Sequence, residues 1–244
     1  MRAIRVEAFG GPEQLQLVEV ASPQPGEGQV RVRLHAAGVN PVDAYVRAGT
    51  YARKPALPFT PGTDGAGVVE ALAPDVTRVS AGDRVYVAAL LAAHHTGTYA
   101  ESVVCDATAV HPLPAAVSFS AGAAVGVPYI TAYRALFQRA GVRPGERVLV
   151  HGASGGVGTA AVQMARAHGA TVVGTAGTEA GLELVRSEGA HLAADHSADG
   201  YLDRITAFTG GLDVIVEMLA NVNLERDLQL LAPRGRIVIV GNRG

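Results

Sequence analysis

The chain changes its hydrophobic rhythm once. From Met1 to about Val117 the apolar positions come in short alternating runs broken by Gly and Pro: Arg2 to Ala8, Leu15 to Val20, Gln29 to His35, Ala66 to Leu72, Asp83 to Ala88 and Tyr99 to Cys105. Alternation puts every second side chain on one face, the period of a half-buried strand. This part is predicted to be mainly β. A helical pattern occurs there only around Pro41 to Ala48, where Asn40 can cap and Pro41 takes the first helical position. The Pro-rich stretches Ser22–Gly26 and Pro58–Gly62 read as loops.

After Val117, helix-periodic segments alternate with short apolar runs, the signature of a parallel sheet covered by helices. Strands are predicted at Arg147–His151, Thr171–Thr175, His191–Ala194, Asp213–Glu217 and Arg236–Val240. Helices are predicted near Pro128–Ala140, Gly156–His168, Glu179–Glu188, Gly200–Phe208 and Asn223–Leu231. The expected fold class is α/β, with a β domain over residues 1–120 and a doubly wound parallel sheet over residues 121–244. That sheet would hold five strands, where the usual order 3-2-1-4-5-6 has six.

The sharpest chemical signal is the run Val148-Leu-Val-His-Gly-Ala-Ser-Gly-Gly-Val-Gly158, which reads as strand, tight turn and helix. Ala153, Gly155 and Gly158 fill the three slots of a G-x-G-x-x-G fingerprint, with alanine in the first. Such a turn aims backbone N–H groups and a helix N-terminus at one spot, which suits a pyrophosphate. The competing reading is a glycine-rich turn with no ligand. About 20 residues further on, an NAD-type site places an acid on the ribose hydroxyls. Here that stretch is Gly174-Thr-Ala-Gly-Thr178, with no carboxylate. A 2′-phosphate can therefore sit there on backbone N–H groups and the hydroxyl of Thr175 or Thr178, and NADP(H) is the expected cofactor.

Composition excludes more than it selects. The 244 residues are 48% hydrophobic with a net charge of −2, ample for a core and without a field to draw phosphate backbones. No nucleic-acid partner is expected. No run of about 18 apolar residues and no leader pattern occurs, so a cytoplasmic protein without a membrane partner is predicted. The single cysteine, Cys105, reads as a small hydrophobe in a strand.

Four motifs in order, Val150–Gly158, Gly38-Val-Asn-Pro-Val-Asp-Ala-Tyr45, Gly174-Thr-Ala-Gly-Thr-Glu179 and Glu217-Met-Leu-Ala-Asn-Val-Asn-Leu224, resemble the zeta-crystallin-like NADPH:quinone oxidoreductases of the medium-chain dehydrogenase/reductase superfamily. The resemblance implies an N-terminal GroES-like domain that holds substrate, then a Rossmann domain, with NADPH spanning the cleft between them. It also implies a chain truncated after the fifth strand. The family's sixth strand builds its subunit interface, so a homo-oligomer contact would be missing and Arg236–Val240 would present a sticky edge.

By the same resemblance, Tyr45, Thr131, Ser154, Gly155, Gly156, Val157, Gly177, His196, Asn223, Val240, Gly241, Asn242 and Arg243 border the cofactor. The polar groups expected to meet the substrate as the catalytic set are Asn40, Tyr45 and Tyr51, with Tyr45 expected to hydrogen-bond a quinone oxygen. Several keep a second reading: His196 as a loop histidine, Asn223 as the N-cap of its helix, and Tyr45 as an aromatic wedge between domains. Asp43 reads as a helix-face acid.

Zinc-dependent relatives carry Cys where this chain has Asn40, and His-Glu where it has Thr63-Asp64, so no metal is expected. His94 and His95 are adjacent and in a strand would point to opposite faces. The expected activity is zinc-independent transfer of reducing equivalents from NADPH to a quinone. The alternatives are an NADPH-dependent enoyl or alkenal reductase, with Tyr51 or Tyr45 as proton donor, and a non-catalytic NADPH-binding protein in the manner of lens crystallins.

Overall fold

The computed structural model describes residues 1–242. It divides into two compact units that part between Val127 and Pro128. In the first unit β1 (Arg2–Arg5) pairs with β2 (Gln16–Glu19). β3 (Gln29–Gly38) leads into helix α1 (Pro41–Arg47), followed by β4 (Asp64–Leu72), β5 (Arg84–Ala88), β6 (Ser102–Asp106), β7 (Val110–Pro112) and helix α2 (Phe119–Ala123). The long strands form one antiparallel sheet in the order β6-β3-β4-β5-β7. Val30, Val32, Val69, Val85, Val87, Val103 and Cys105 fill its core, which places Cys105 as an inert apolar group in β6.

The sequence places a border after residue 120, whereas the first unit runs on to Val127. α2 accounts for part of the extension, because its Ala123 packs with Leu113 and Ala66 under that sheet. The strand expected from Tyr99 starts only at Ser102. Before it, main-chain bonds from Thr98 N to Gly62 O, Tyr99 N to Pro61 O and Ile4 N to Tyr99 O turn the chain inward. His94 and His95 lie in a loop rather than a strand. They still point apart, His94 to Asp106 at 3.7 Å and His95 into a cavity wall.

The helix expected from Pro128 is two pieces, α3 (Gly126–Tyr133), which starts two residues before the second unit, and a π-helical segment, Arg134–Ala140. Then come β8 (Arg147–Val150), α4 (Gly156–Ala167), β9 (Thr171–Ala176), α5 (Glu179–Ser187), β10 (Leu192–Asp195), α6 (Tyr201–Thr209), β11 (Leu212–Glu217), α7 (Ala220–Leu230) and β12 (Leu231–Ile239). All five strands are parallel in the order β10-β9-β8-β11-β12. The chain winds outward from β8 to β10, then crosses back and winds the other way through β11 and β12. Helices cover both faces, so Val148–Val150, Val172, Val173 and Val214–Val216 are fully buried.

Two boundaries differ from expectation. α7 opens at Ala220 with Leu219 at its N-cap, so Asn223 lies inside the helix and is not its cap. β12 begins at Leu231, with a register shift opposite Asp213. Arg236 closes that irregularity by donating to Glu146 and to the carbonyls of Ala140, Gly141 and Asp213. No helix among the described residues is long and apolar enough to cross a membrane.

Candidate functional site

Apart from Thr131, the described site residues expected in the second unit follow the carboxyl ends of its strands, where open α/β sheets take their ligands. Ser154 to Val157 follow β8, Gly177 follows β9, His196 follows β10, Asn223 follows β11, and Val240 to Asn242 follow β12. Thr131 sits half-buried on α3. Arg243 lies outside the described residues.

The turn after β8 separates its glycines by purpose. A Cβ on Gly158 would stand 2.3 Å from the Gly152 carbonyl oxygen and 2.6 Å from Ala153 Cα, so this glycine is demanded by the helix lying on its own turn. On Gly155 a Cβ would meet nothing closer than that same oxygen at 3.4 Å, and on Gly156 only Pro128 at 3.4 Å. Both are exposed, and α4 starts with Gly155 at its N-cap and no side chain capping it. The first-turn amides and the open approach to them thus form a cradle that a side chain would fill. A pyrophosphate fits there.

At the end of β9 a Cβ on Gly177 would lie 2.6 Å from His196 Nε2, so the two residues are neighbours. No carboxylate belongs to this turn, and Asp195 beside it accepts from Ser197 N. The hydroxyls expected to help a 2′-phosphate are committed elsewhere. Thr175 is fully buried with Oγ1 accepting from Gly152 N, and Thr178 caps α5 by accepting from Gly181 N. His196 and backbone N–H groups remain for the task. At the far end of the site, Val240 N and Gly241 N both donate to Glu217 O, and a Cβ on Gly241 would lie 2.3 Å from Met218 O. Asn223 donates through Nδ2 to Glu217 Oε1 at 3.2 Å.

In the first unit Asn40 is buried at the N-cap of α1, with Pro41 first in the helix. Its backbone N–H donates to Asp43 Oδ2 at 2.9 Å, and its side-chain Nδ2 donates to Asp64 Oδ2 at 2.8 Å. Asp64 Oδ2 also accepts Val127 N at 2.8 Å, and Tyr99 OH donates to Asp43 Oδ2 at 2.9 Å. Asp43 is therefore a buried acid of this network rather than a group on the helix surface. Burial raises the carboxyls of both Asp43 and Asp64, against the pull of these donors. Burial and the Asp43 charge push the Tyr99 phenol well up, so it remains a donor.

Beside this network opens a cavity of about 520 Å³ whose wall includes Asp43, Val46, Tyr51, Arg53, Lys54 and His95. Tyr51 is 41% exposed on that wall, whereas Tyr45, half-buried on α1, is not part of it. Asn40 and Tyr45 thus belong to one short helix, Asn40 at its N-cap and Tyr45 in its C-terminal half, and Tyr51 stands apart from them on the cavity. His95 is held below the usual histidine range by burial, then by Arg53. The cationic side of this cavity, Arg53 and Lys54, was not singled out by sequence because exposed basic residues carry no pattern.

At the positions expected to correspond to zinc ligands, the Asn40 amide is hydrogen-bonded to the Asp64 carboxylate, with Thr63 beside it in the chain. That donor set has neither thiolate nor imidazole and does not fit a tetrahedral zinc. Among the described residues, the only group of three metal-ligating side chains close enough to hold an ion is elsewhere, at His151, Glu217 and Asp227. Sequence reasoning missed these three. The available signal was an acid ending the buried run Val214-Ile-Val-Glu217.

Comparison with known proteins places the chain in context. Residues 26–115 match the family model described as alcohol dehydrogenase GroES-like domain, and residues 156–244 match the one described as zinc-binding dehydrogenase. Human quinone oxidoreductase is 51% identical over 247 aligned residues that cover 100% of this chain and 74% of that protein. Among solved structures, Escherichia coli quinone oxidoreductase complexed with NADPH superposes with a TM-score of 0.86 at 32% identity, covering 99% of this chain and 73% of that one. An NAD-dependent alcohol dehydrogenase superposes with a TM-score of 0.91 at 35% identity, covering 98% and 77%.

Proposed function

This chain belongs to the quinone oxidoreductase family of medium-chain dehydrogenases/reductases, and from that premise we propose that it binds NADPH and passes its reducing equivalents to a quinone without zinc. The first unit is then the substrate domain and the second the NADP-binding domain of a cytoplasmic enzyme. When bound, the dinucleotide supplies two electrons together with the hydrogen at C4 of its nicotinamide. Everything else falls to the chain's own groups.

The amides around Gly155 and Gly156 hold the pyrophosphate, and Ser154 and Val157 flank it. Gly177 and His196 receive the 2′-phosphate, where an acid would repel it. Thr131, Asn223, Val240, Gly241, Asn242 and Arg243 orient the nicotinamide and its ribose. Tyr51, exposed on the cavity of the first unit, donates a hydrogen bond to the quinone oxygen and stabilises the charge that develops there. Asn40 and Tyr45 shape the approach. A quinone needs no Lewis acid to accept electrons, which agrees with an Asn40–Asp64 pair that leaves zinc no suitable donors.

The uncapped cradle at Gly155 and Gly156 supports this reading most directly, because no packing inside the chain requires those glycines. The test is a pair of quenching titrations with NADPH and NADH, followed by turnover of 1,2-naphthoquinone and of an alkenal at matched NADPH. NADPH should bind at least about tenfold tighter, close to 1.4 kcal/mol, and the quinone should be the better acceptor. Equal affinities would remove the cofactor assignment. Preference for the alkenal would favour the enoyl reductase, and binding without turnover a crystallin-like role.

A further inference from the structure

Three titratable side chains lie fully buried beneath the cofactor end of the second unit, and none has a part in the chemistry above. His151 follows β8, Glu217 ends β11 and Asp227 sits on α7, with exposures of 3%, 0% and 1%. His151 Nε2 is 2.8 Å from Asp227 Oδ1 and 3.4 Å from Glu217 Oε2. Because it faces only carboxylate oxygens, this nitrogen carries a proton and donates. On the other side of the ring, Nδ1 is 3.4 Å from Thr175 Oγ1, the hydroxyl that accepts from Gly152 N. Glu217 Oε1 accepts from Leu219 N and from Asn223 Nδ2.

Two oxygens are left over. Glu217 Oε2 and Asp227 Oδ2 are buried with no hydrogen-bonding partner. Two ionised carboxylates so placed would be costly, since one ring N–H cannot serve both. The other groups facing the cluster are Tyr201 from α6, a phenol raised by burial, and Arg226 from α7, which is exposed and bears on Tyr201. A divalent ion is the first remedy to consider, because the three ligand atoms lie within 4.8 Å of one another. A 2.8 Å contact, however, is a hydrogen-bond distance. Two ligands on a tetrahedral zinc with bonds of about 2.0–2.1 Å stand about 3.3 Å apart.

We propose that a proton fills this cluster: Glu217 is kept as the carboxylic acid and shares its proton with Asp227, and the resulting His151–Asp227–Glu217 clamp positions the dinucleotide site. The clamp joins the ends of β8 and β11, the two adjacent strands between which the winding reverses, and that crevice is where open sheets bind their ligands. Through Thr175 it holds the turn at Gly152, and through Glu217 it holds Leu219 and Asn223. The pyrophosphate end and the nicotinamide end of the site are thereby tied to one buried element. Burial, and then Asp227, raise the Glu217 carboxyl, in keeping with an acid form. His151, Glu217 and Asp227 are positioning residues, and their role rests on the NADPH reading.

The experiment pairs an infrared measurement on the cofactor-free protein with NADPH titrations and steady-state kinetics over about pH 6 to 9. The variants are Glu217→Gln, which keeps a donor and an acceptor in the acid's place, Glu217→Ala, which keeps neither, and Asp227→Asn. The wild type should show the band of a buried protonated carboxyl throughout that range, and Glu217→Gln should abolish it. Glu217→Gln should bind NADPH within about twofold of wild type. Glu217→Ala should bind at least about tenfold more weakly, chiefly through KM for NADPH rather than kcat. Asp227→Asn should weaken binding about fivefold or more and make it pH-dependent. The proposal is overturned by absence of the band, by Glu217→Gln binding as weakly as Glu217→Ala, or by one bound divalent metal whose chelation costs the affinity. A wild type that shows the band yet binds no NADPH would keep the protonated clamp and overturn the cofactor reading instead.

Discussion

Each unit buries a pair of acids, and the two pairs are dressed differently. In the first unit Asp43 accepts from Asn40 N and Tyr99 OH, and Asp64 accepts from Asn40 Nδ2 and Val127 N, so each carboxylate meets two donors. In the second unit Glu217 Oε1 accepts from Leu219 N and Asn223 Nδ2, but its Oε2 and Asp227 Oδ1 turn to the same His151 Nε2, and Asp227 has no other donor among the described residues. Burial raises Asp43, Asp64 and Glu217 alike. What differs is how donors are shared. Asp43 and Asp64 each have two N–H or O–H donors of their own, with only Asp64 Oδ1 left bare, whereas Glu217 Oε2 and Asp227 depend on one ring N–H and an oxygen of each is left bare. A buried acid is therefore understood from its donors rather than from its depth.

The strongest way to break the first pair is Asp64→Ala, which leaves Asn40 Nδ2 and Val127 N without acceptors. At about 1–3 kcal/mol for each buried unpaired donor, a loss of about 4 kcal/mol is expected in urea unfolding. Asp64→Asn keeps one acceptor and should cost about half as much. A change below about 1 kcal/mol for Asp64→Ala would show that the donors find water instead.

The two kinds of glycine in the turn after β8 can be separated next. Gly158→Ala drives a Cβ to within 2.3 Å of a backbone oxygen and should cost about 3 kcal/mol of stability. Gly155→Ala has room at 3.4 Å and an ordinary extended backbone, so it should change stability by less than about 0.5 kcal/mol. Its NADPH affinity should nevertheless fall about tenfold. If both variants lose stability equally, Gly155 is a packing residue and the cradle argument fails.

Acid offers a gentler probe. In the second unit Arg147 holds Asp213 below the usual carboxylate range, and Arg236 does the same for Glu146. Depressed carboxyls contribute stability that is full above their unfolded values and is lost as the pH falls through the lower folded ones. The raised Asp43 and Asp64 work in the opposite sense, because the folded first unit holds protons more tightly and so gains stability as the pH falls toward their ordinary value of 3.8. Glu217 opposes the trend within the second unit, so Asp213→Asn is the informative control. Hydrogen exchange measured at descending pH should show the second unit opening first, with Asp213→Asn flattening its response. Simultaneous opening would remove the contrast.

The smallest effect expected is none. EDTA or phenanthroline should leave quinone reduction unchanged, since an amide, a threonine and a hydrogen-bonded acid occupy the zinc position. Activity lost to a chelator and restored by zinc would overturn that.

The parallel sheet was legible because its strands are buried on both faces and read as unbroken apolar runs, from Val148 to Val150 and from Val214 to Val216. The strand order is the first five positions, 3-2-1-4-5, of the usual doubly wound order against which the sequence was read. The loops at the strand ends were less legible. Thr175 was expected to reach a phosphate, yet the alternation of β9 turns its hydroxyl inward to Gly152. Asn223 was expected to open a helix, yet Glu217 captures the preceding turn through Leu219 N and the helix starts earlier.

The sequence by itself determined the periodicities, the glycine spacing and the missing acid after β9, because those depend on residues near one another in the chain. Only the tertiary structure decided which acids share a donor. Asn40 meets Asp64 across 24 positions and His151 meets Asp227 across 76. No local pattern encodes such meetings, since burial and hydrogen bonding are settled by which strand ends the fold brings side by side.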